Sequence, residues 1–142
     1  MTTAAAPHRP SPADLAANSP AHRRAQSRLA DMLAPAQLEP SARFRVEFGR
    51  AIRASGMTPH SRLVALTLST FANYRTGHIA AQQQPGLHGL AQATGLTAGQ
   101  VVVALRALES RGWVSRTGSR AYEDAELRPH IPQHAVASLR HH

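Results

Sequence analysis

The fold is decided by residues 87–114, which read LHGLAQATGLTAGQVVVALRALESRGWV. This segment predicts two helices that cross steeply around a short turn. Such a crossing needs a small residue where the helices touch, and Ala91 is one. The turn needs a residue that tolerates a positive φ, which is Gly95, and an apolar residue to fill it, which is Leu96. Because these requirements are met in register, the segment predicts a helix-turn-helix.

The second of these helices has an apolar face and an opposite, outward face. Val101 lies six positions beyond Gly95 and anchors the inward face, which Ala104, Leu105 and Leu108 continue at helical spacing. The outward face, which would meet a partner, comprises Thr97, Ala98, Gly99, Gln100, Val102, Val103 and Arg106.

A β-hairpin is predicted directly after this helix. Gly112 suits the C-terminal end of a helix, and residues 113–117 alternate apolar and polar side chains as a half-buried strand does. Gly118-Ser119 is a two-residue turn with glycine first, and 120–122 would return as the second strand. Helix, turn, helix and hairpin in this order predict a winged helix-turn-helix, a mainly α fold with a small β-hairpin.

Residues 87–116 resemble the winged helix-turn-helix of MarR-type regulators and of small actinobacterial plasmid and phage proteins. The shared features are LAQATGL, which ends at Leu96, and ALRALESRGWVSR, which begins at Ala104. The resemblance implies that helix 97–111 enters the major groove of DNA while wing 113–122 lies on the backbone.

The outward face offers few groups that could read bases. Gln100 could pair with adenine, Thr97 and Arg106 could contact phosphate, and Ala98 or Val102 could meet a thymine methyl. Gly99, Val102 and Val103 offer no hydrogen bonds, so the two valines could instead mark a protein interface. On the wing, Arg116 and Arg120 are placed to reach phosphates or a minor groove.

The positive charge is concentrated in one part of the chain. The 142 residues carry a formal net charge of +8 and no cysteine. Residues 41–120 hold ten arginines and only two acids, Glu47 and Glu109, whereas the flanking segments nearly balance. This distribution is typical of a protein whose partner carries phosphates, although a merely basic soluble domain would show it too.

The rest of the chain is predicted to form an N-terminal arm, the first half of the domain and a C-terminal tail. Residues 1–40, with eleven Ala and six Pro, predict a flexible arm with one helix at 20–34. The domain at 41–123 would begin with a helix at about 41–54, whose stripe is Phe44, Phe48 and Ile52. A second helix would follow the Thr58-Pro59 cap, with its buried stripe at Leu63, Leu66, Thr67, Thr70, Phe71 and Tyr74. A one-rung strand at 78–80 and a short helix around 135–139, within a tail at 124–142, are also expected.

Several classes of function are not favoured. The absence of cysteine excludes disulfides and thiolate sites, and the nine histidines lack the spacing of a metal site. The acidic cluster Glu123-Asp124-Ala-Glu126 has no catalytic partner pattern, and no phosphate-binding glycine loop is present. We therefore expect no enzyme, no cofactor, no metal, no membrane span and a cytoplasmic location.

These observations lead to one hypothesis and two alternatives. The hypothesis is a transcriptional regulator that binds double-stranded DNA, as a homodimer if its site is a palindrome. The alternatives are an accessory protein of plasmid or phage replication or partition, and a winged helix that binds another protein through Val102 and Val103.

Overall fold

The computed structural model describes residues 19–38, 42–119 and 121–139, except for the side chains of 137–139. The chain divides into two units, 1–32 and 33–142. Half of the arm expected at 1–40, residues 1–18 and 39–40, lies outside the described residues. Helix α1 spans Pro20–Leu33 and begins at Ser19, whose hydroxyl accepts a hydrogen bond from the His22 amide at 3.1 Å. None of its residues is buried, and even its large apolar side chains Leu29 and Met32 are more than half exposed.

Two helices begin the second unit. Helix α2 spans Phe44–Ala54, and its stripe Phe44, Phe48 and Ile52 is buried as the sequence predicts. Helix α3 spans Pro59–Thr70 and begins at Thr58, whose side chain accepts a hydrogen bond from the Ser61 amide. Helix α3 contacts α2, both helices of the predicted helix-turn-helix and the second strand of the sheet. It is therefore the central support of the unit.

The buried face of α3 differs from the one that the sequence predicts. The buried residues are Ser61, Val64, Ala65, Leu68 and Ser69. Leu63 and Tyr74, which were expected inside, are 40% and 41% exposed. The prediction followed the larger leucines, but small side chains at Ser61 and Ala65 let neighbouring helices approach closely. The buried stripe is the predicted one displaced by two residues, which is a rotation of the buried face of α3 by about 160°.

The predicted pair of helices is present in the second half of the unit. Helix α4 spans Gly86–Thr94 and helix α5 spans Ala98–Ser110, with three residues between them. Gly95 adopts φ 77°, the left-handed conformation that the turn requires. The four residues predicted to face inward on α5 are buried, namely Val101, Ala104, Leu105 and Leu108.

The sheet has two antiparallel strands, and the second is not where the sequence predicts it. Strand β1 spans Val114–Thr117 and strand β2 spans Glu126–Pro129, so the connecting loop covers 118–125. The expected return at 120–122 is wrong, and the tail that was expected to begin at 124 supplies a strand instead. The Trp113 carbonyl accepts a hydrogen bond from the His130 amide at 2.8 Å. Pro129 therefore falls at a position where strand pairing needs no amide proton.

A side chain replaces the strand that was expected at 78–80. No strand forms there. The Gln84 side chain donates a hydrogen bond to the Leu127 carbonyl and accepts one from the Leu127 amide, both at 2.9 Å. It also donates to the Ile79 carbonyl at 3.3 Å. Because Gln84 satisfies both backbone groups of Leu127, the free edge of β2 is closed without a third strand.

The C-terminal segment packs on the core. Helix α6 spans Gln133–Leu139, and Leu127, Ile131 and Ala135 are buried. Residues 33–36, which we term the strap, bind this segment through the Ala36 amide to the Ile131 carbonyl at 2.8 Å. Among the described residues the fold is mainly helical with one small antiparallel sheet. No helix in that part of the chain is long and apolar enough to cross a bilayer.

Candidate nucleic-acid interface

The start of α5 is fixed by its own side chains. The Thr97 hydroxyl accepts a hydrogen bond from the Gln100 amide at 3.1 Å, and the Gln100 side-chain oxygen accepts one from the Thr97 amide at 3.0 Å. This reciprocal pair is a capping box, which satisfies two amides at the helix end. Gln100 reads adenine only through an amide that offers both a donor and an acceptor. Since its oxygen already accepts a hydrogen bond from the Thr97 amide, the bidentate contact that the sequence suggests would have to share that oxygen with the capping box.

The outward face of α5 presents one large apolar side chain among small and polar residues. Val103 is 68% exposed, and Gly99, Arg106 and Ser110 share its face of the helix. Val102 differs from the sequence-based expectation, since it is half-buried and packs against the core. One valine, not two, is therefore presented by this helix to a partner.

A shallow groove runs beside Val103 where α5 meets the start of α3. Its volume is about 430 Å³, and its walls are mostly apolar. The residues that line it are Thr58, Pro59, His60, Ser61, Val103, Ala104 and Ala107. The exposed apolar surface of α5 thus continues onto α3 and is not limited to one side chain.

Glu109 joins the other side of α5 to the hairpin. Its carboxylate accepts a hydrogen bond from the Tyr122 hydroxyl at 2.7 Å and lies 3.4 Å from the Arg116 guanidinium. The Arg116 guanidinium also stands 4.6 Å from the centre of the Tyr122 ring. We term these three residues the hairpin clamp, because they hold loop 118–125 and β1 against α5.

The clamp explains why Arg116 does not occupy a wing tip. Arg116 pairs with Leu127 in the strand register and shares the inner face of the hairpin with the buried Val114. Its charge is partly compensated by Glu109. Sequence reasoning missed Glu109 and Tyr122 as its partners, since Glu109 lies in α5 and Tyr122 in the loop after β1, and no local spacing joins the three residues.

The clamp predicts an alkaline loss of stability. Burial, together with the hydrogen bond to Glu109, raises the pKa of Tyr122 from 10.0 to about 12. A raised pKa means that the folded state favours the neutral phenol. The contribution of this phenol to the free energy of unfolding is therefore complete below pH 10 and is lost between pH 10 and about 12. The free energy of unfolding, followed against pH, should fall over this window. The Tyr122→Phe variant should lack this component, and an equal fall in that variant would contradict the assignment.

The loop of the hairpin is acidic in its second half. Glu123 and Asp124 are exposed within it, and exposed Glu126 begins β2. These carboxylates would repel a phosphate backbone at close range. Arg120, the second wing arginine of the sequence analysis, lies outside the described residues.

Some arginines of the helices are occupied inside the fold. Arg45 donates hydrogen bonds to the carbonyls of Thr70 and Ala72, at 3.3 and 2.6 Å, and lies over the Tyr74 ring. It therefore caps the end of α3 and is not available to a ligand. Within residues 42–119 the exposed arginines are Arg43, Arg50, Arg53, Arg75, Arg106 and Arg111.

No family model, no curated protein and no solved structure matches this chain. In the part of the chain that the structure describes, no three His, Asp or Glu side chains are grouped so as to hold a metal ion.

Proposed function

We propose that this protein binds duplex DNA as a winged helix, with α5 lying in the major groove. The observation that carries the proposal is the presentation of α5. Its inward face is fully buried, its N-terminal end is fixed by the capping box, and its outward face is free of covering side chains at Val103 and Arg106. A helix presented in this way fits the width of the major groove.

Charge supports the same partner. Residues 41–120 hold ten arginines and two acids. Both acids face arginines within the fold, Glu47 at 3.9 Å from Arg50 and Glu109 at 3.4 Å from Arg116. The exposed charge of the helices is thus almost entirely positive, which favours association with a polyanion.

The structure alters the role that we assign to the hairpin. Exposed Glu123 and Asp124 lie in loop 118–125, and Arg116 is held in the hairpin clamp. We therefore assign the phosphate contacts mainly to the helices, with Arg106 first because it lies on the outward face of α5. Regulation of transcription remains the role we favour for such a contact, and replication or partition would use the same surface.

A substitution at Arg106 tests this proposal. Binding of fluorescently labelled random duplexes should be measurable at low salt, and Arg106→Ala should weaken it by roughly five- to fiftyfold for all sequences, as expected for loss of a charged contact. Arg75→Ala is the control, since Arg75 is also exposed but lies beside the start of α2, where the Arg75 carbonyl accepts a hydrogen bond from the Phe44 amide. Absence of binding to any duplex at low salt would refute DNA binding, and equal losses in the two variants would refute the placement on α5.

A further inference from the structure

The outward face of α5 carries few of the groups with which helices usually read base edges, since Arg106 and Ser110 are the polar side chains that lie beside Val103 on it. Direct readout in the major groove depends on arginine, asparagine, glutamine and short hydroxyl side chains, or on apolar contact with the C5-methyl group of thymine. On this face Gly99 has no side chain, Val103 is aliphatic, and the Gln100 oxygen is bound to the Thr97 amide. Apolar contact at Val103 is therefore a mode of recognition that this face offers beside the polar groups of Arg106 and Ser110.

Val103 is the centre of the apolar surface. It is the most exposed of the large apolar residues in the described chain, at 68%, and Ala107 lies one turn further along the same side of α5. Pro59 of α3 lines the groove beside them. Arg106, three positions after Val103, is exposed next to this surface and provides the charge that a DNA partner requires.

We infer that Val103 recognises thymine methyl groups, so that the protein selects thymine-containing sites by apolar contact and not by a hydrogen-bond code. This inference rests on the proposed binding of DNA and specifies which feature of the major groove is read. Charge from Arg106 helps to hold the duplex, while the methyl contacts at Val103 decide its sequence. The methyl group is a suitable ligand because it is the one apolar group on the major-groove edge of the bases.

The experiment removes the methyl group and leaves all hydrogen bonds in place. Duplexes that bind tightly are first selected from a random library, and each thymine is then replaced in turn by deoxyuridine. At one or two positions the dissociation constant should rise about fourfold for each methyl lost, the factor expected for one buried methyl-sized group. In Val103→Ala, the rise in the dissociation constant caused by deoxyuridine should shrink towards onefold, because the side chain that contacts the thymine methyl is then missing.

The matched control is Val46→Ala, which makes the same change at an exposed valine of α2. This variant should keep the full deoxyuridine penalty. Selected duplexes that tolerate deoxyuridine at every position, within about twofold, would overturn the inference and leave DNA binding intact. A penalty that persists unchanged in Val103→Ala would overturn the assignment to this residue. If no duplex is selected or bound at low salt, DNA binding itself fails and the inference fails with it.

Discussion

Replacement of Gly112 by alanine should destabilise the second unit by about 2–5 kcal/mol, the sum of a strained backbone and a collision in a packed region. Gly112 ends α5 at φ 84°, where its amide donates to the Glu109 carbonyl and the next amide, of Trp113, donates to Leu108. This arrangement is a Schellman motif, which needs a left-handed residue. A Cβ atom at Gly112 would also lie 2.6 Å from the Leu33 carbonyl oxygen of the strap.

Gly95 provides the matched control for this prediction. It has nearly the same φ, 77°, but a Cβ atom there would meet no atom within 4 Å. Gly95→Ala should therefore cost only the backbone term, about 1–2 kcal/mol. Denaturant unfolding of both variants measures the difference. If Gly112→Ala lowers the free energy of unfolding no more than Gly95→Ala does, the predicted collision with the Leu33 carbonyl of the strap is wrong.

The contrast between these glycines shows what the sequence could reveal. Both were predicted at the ends of helices, because the pattern around each is local and the requirement for a positive φ is strong. The strap, by contrast, comes from nearly 80 positions earlier in the chain, and no spacing in the sequence relates Leu33 to Gly112. Contacts of this kind depend on the assembled fold.

The error in the second strand has a specific physical origin. Gly118-Ser119 is a strong local turn signal, and the prediction placed the returning strand directly after it. The alternation of apolar and polar side chains at 125–128, which belongs to β2, was not considered. Pro129 also weakens the local signal for a strand, since proline lacks an amide proton. In the structure Pro129 pairs with Val114 at a position without hydrogen bonds, so the objection does not apply.

For similar reasons, the sequence predicted the two faces of α5 but not the surroundings of Val102 and Arg116. The burial of Val101, Ala104, Leu105 and Leu108 follows from helical period, so the outward face of α5 could be named from sequence. Val102 was misjudged because it lies at the edge of that face, where burial depends on the neighbours. The environment of Arg116 could not be predicted, since Tyr122 reaches it only through the loop that precedes β2.

The affinity for DNA should fall steeply as the salt concentration rises. The number of arginines that the fold leaves exposed determines how steep this fall is. Each phosphate neutralised releases counterions and contributes about −0.9 to the slope of log affinity against log salt. Ten arginines in residues 41–120 would suggest a very large effect. Arg45 and Arg116 are held inside the fold, however, and the exposed arginines are spread over several elements.

We therefore expect contact with about four to six phosphates, and a loss of roughly 10²–10³-fold in affinity between about 50 and 200 mM salt. Fluorescence anisotropy titrations at several salt concentrations give the slope directly. Arg106→Ala should make the slope shallower by about 0.9, whereas Val103→Ala should leave it unchanged, because an apolar contact releases no counterions. An affinity that does not change with salt would contradict a phosphate-bearing partner. The exposed surface around Val103 would then have to be assigned to an interface with another protein.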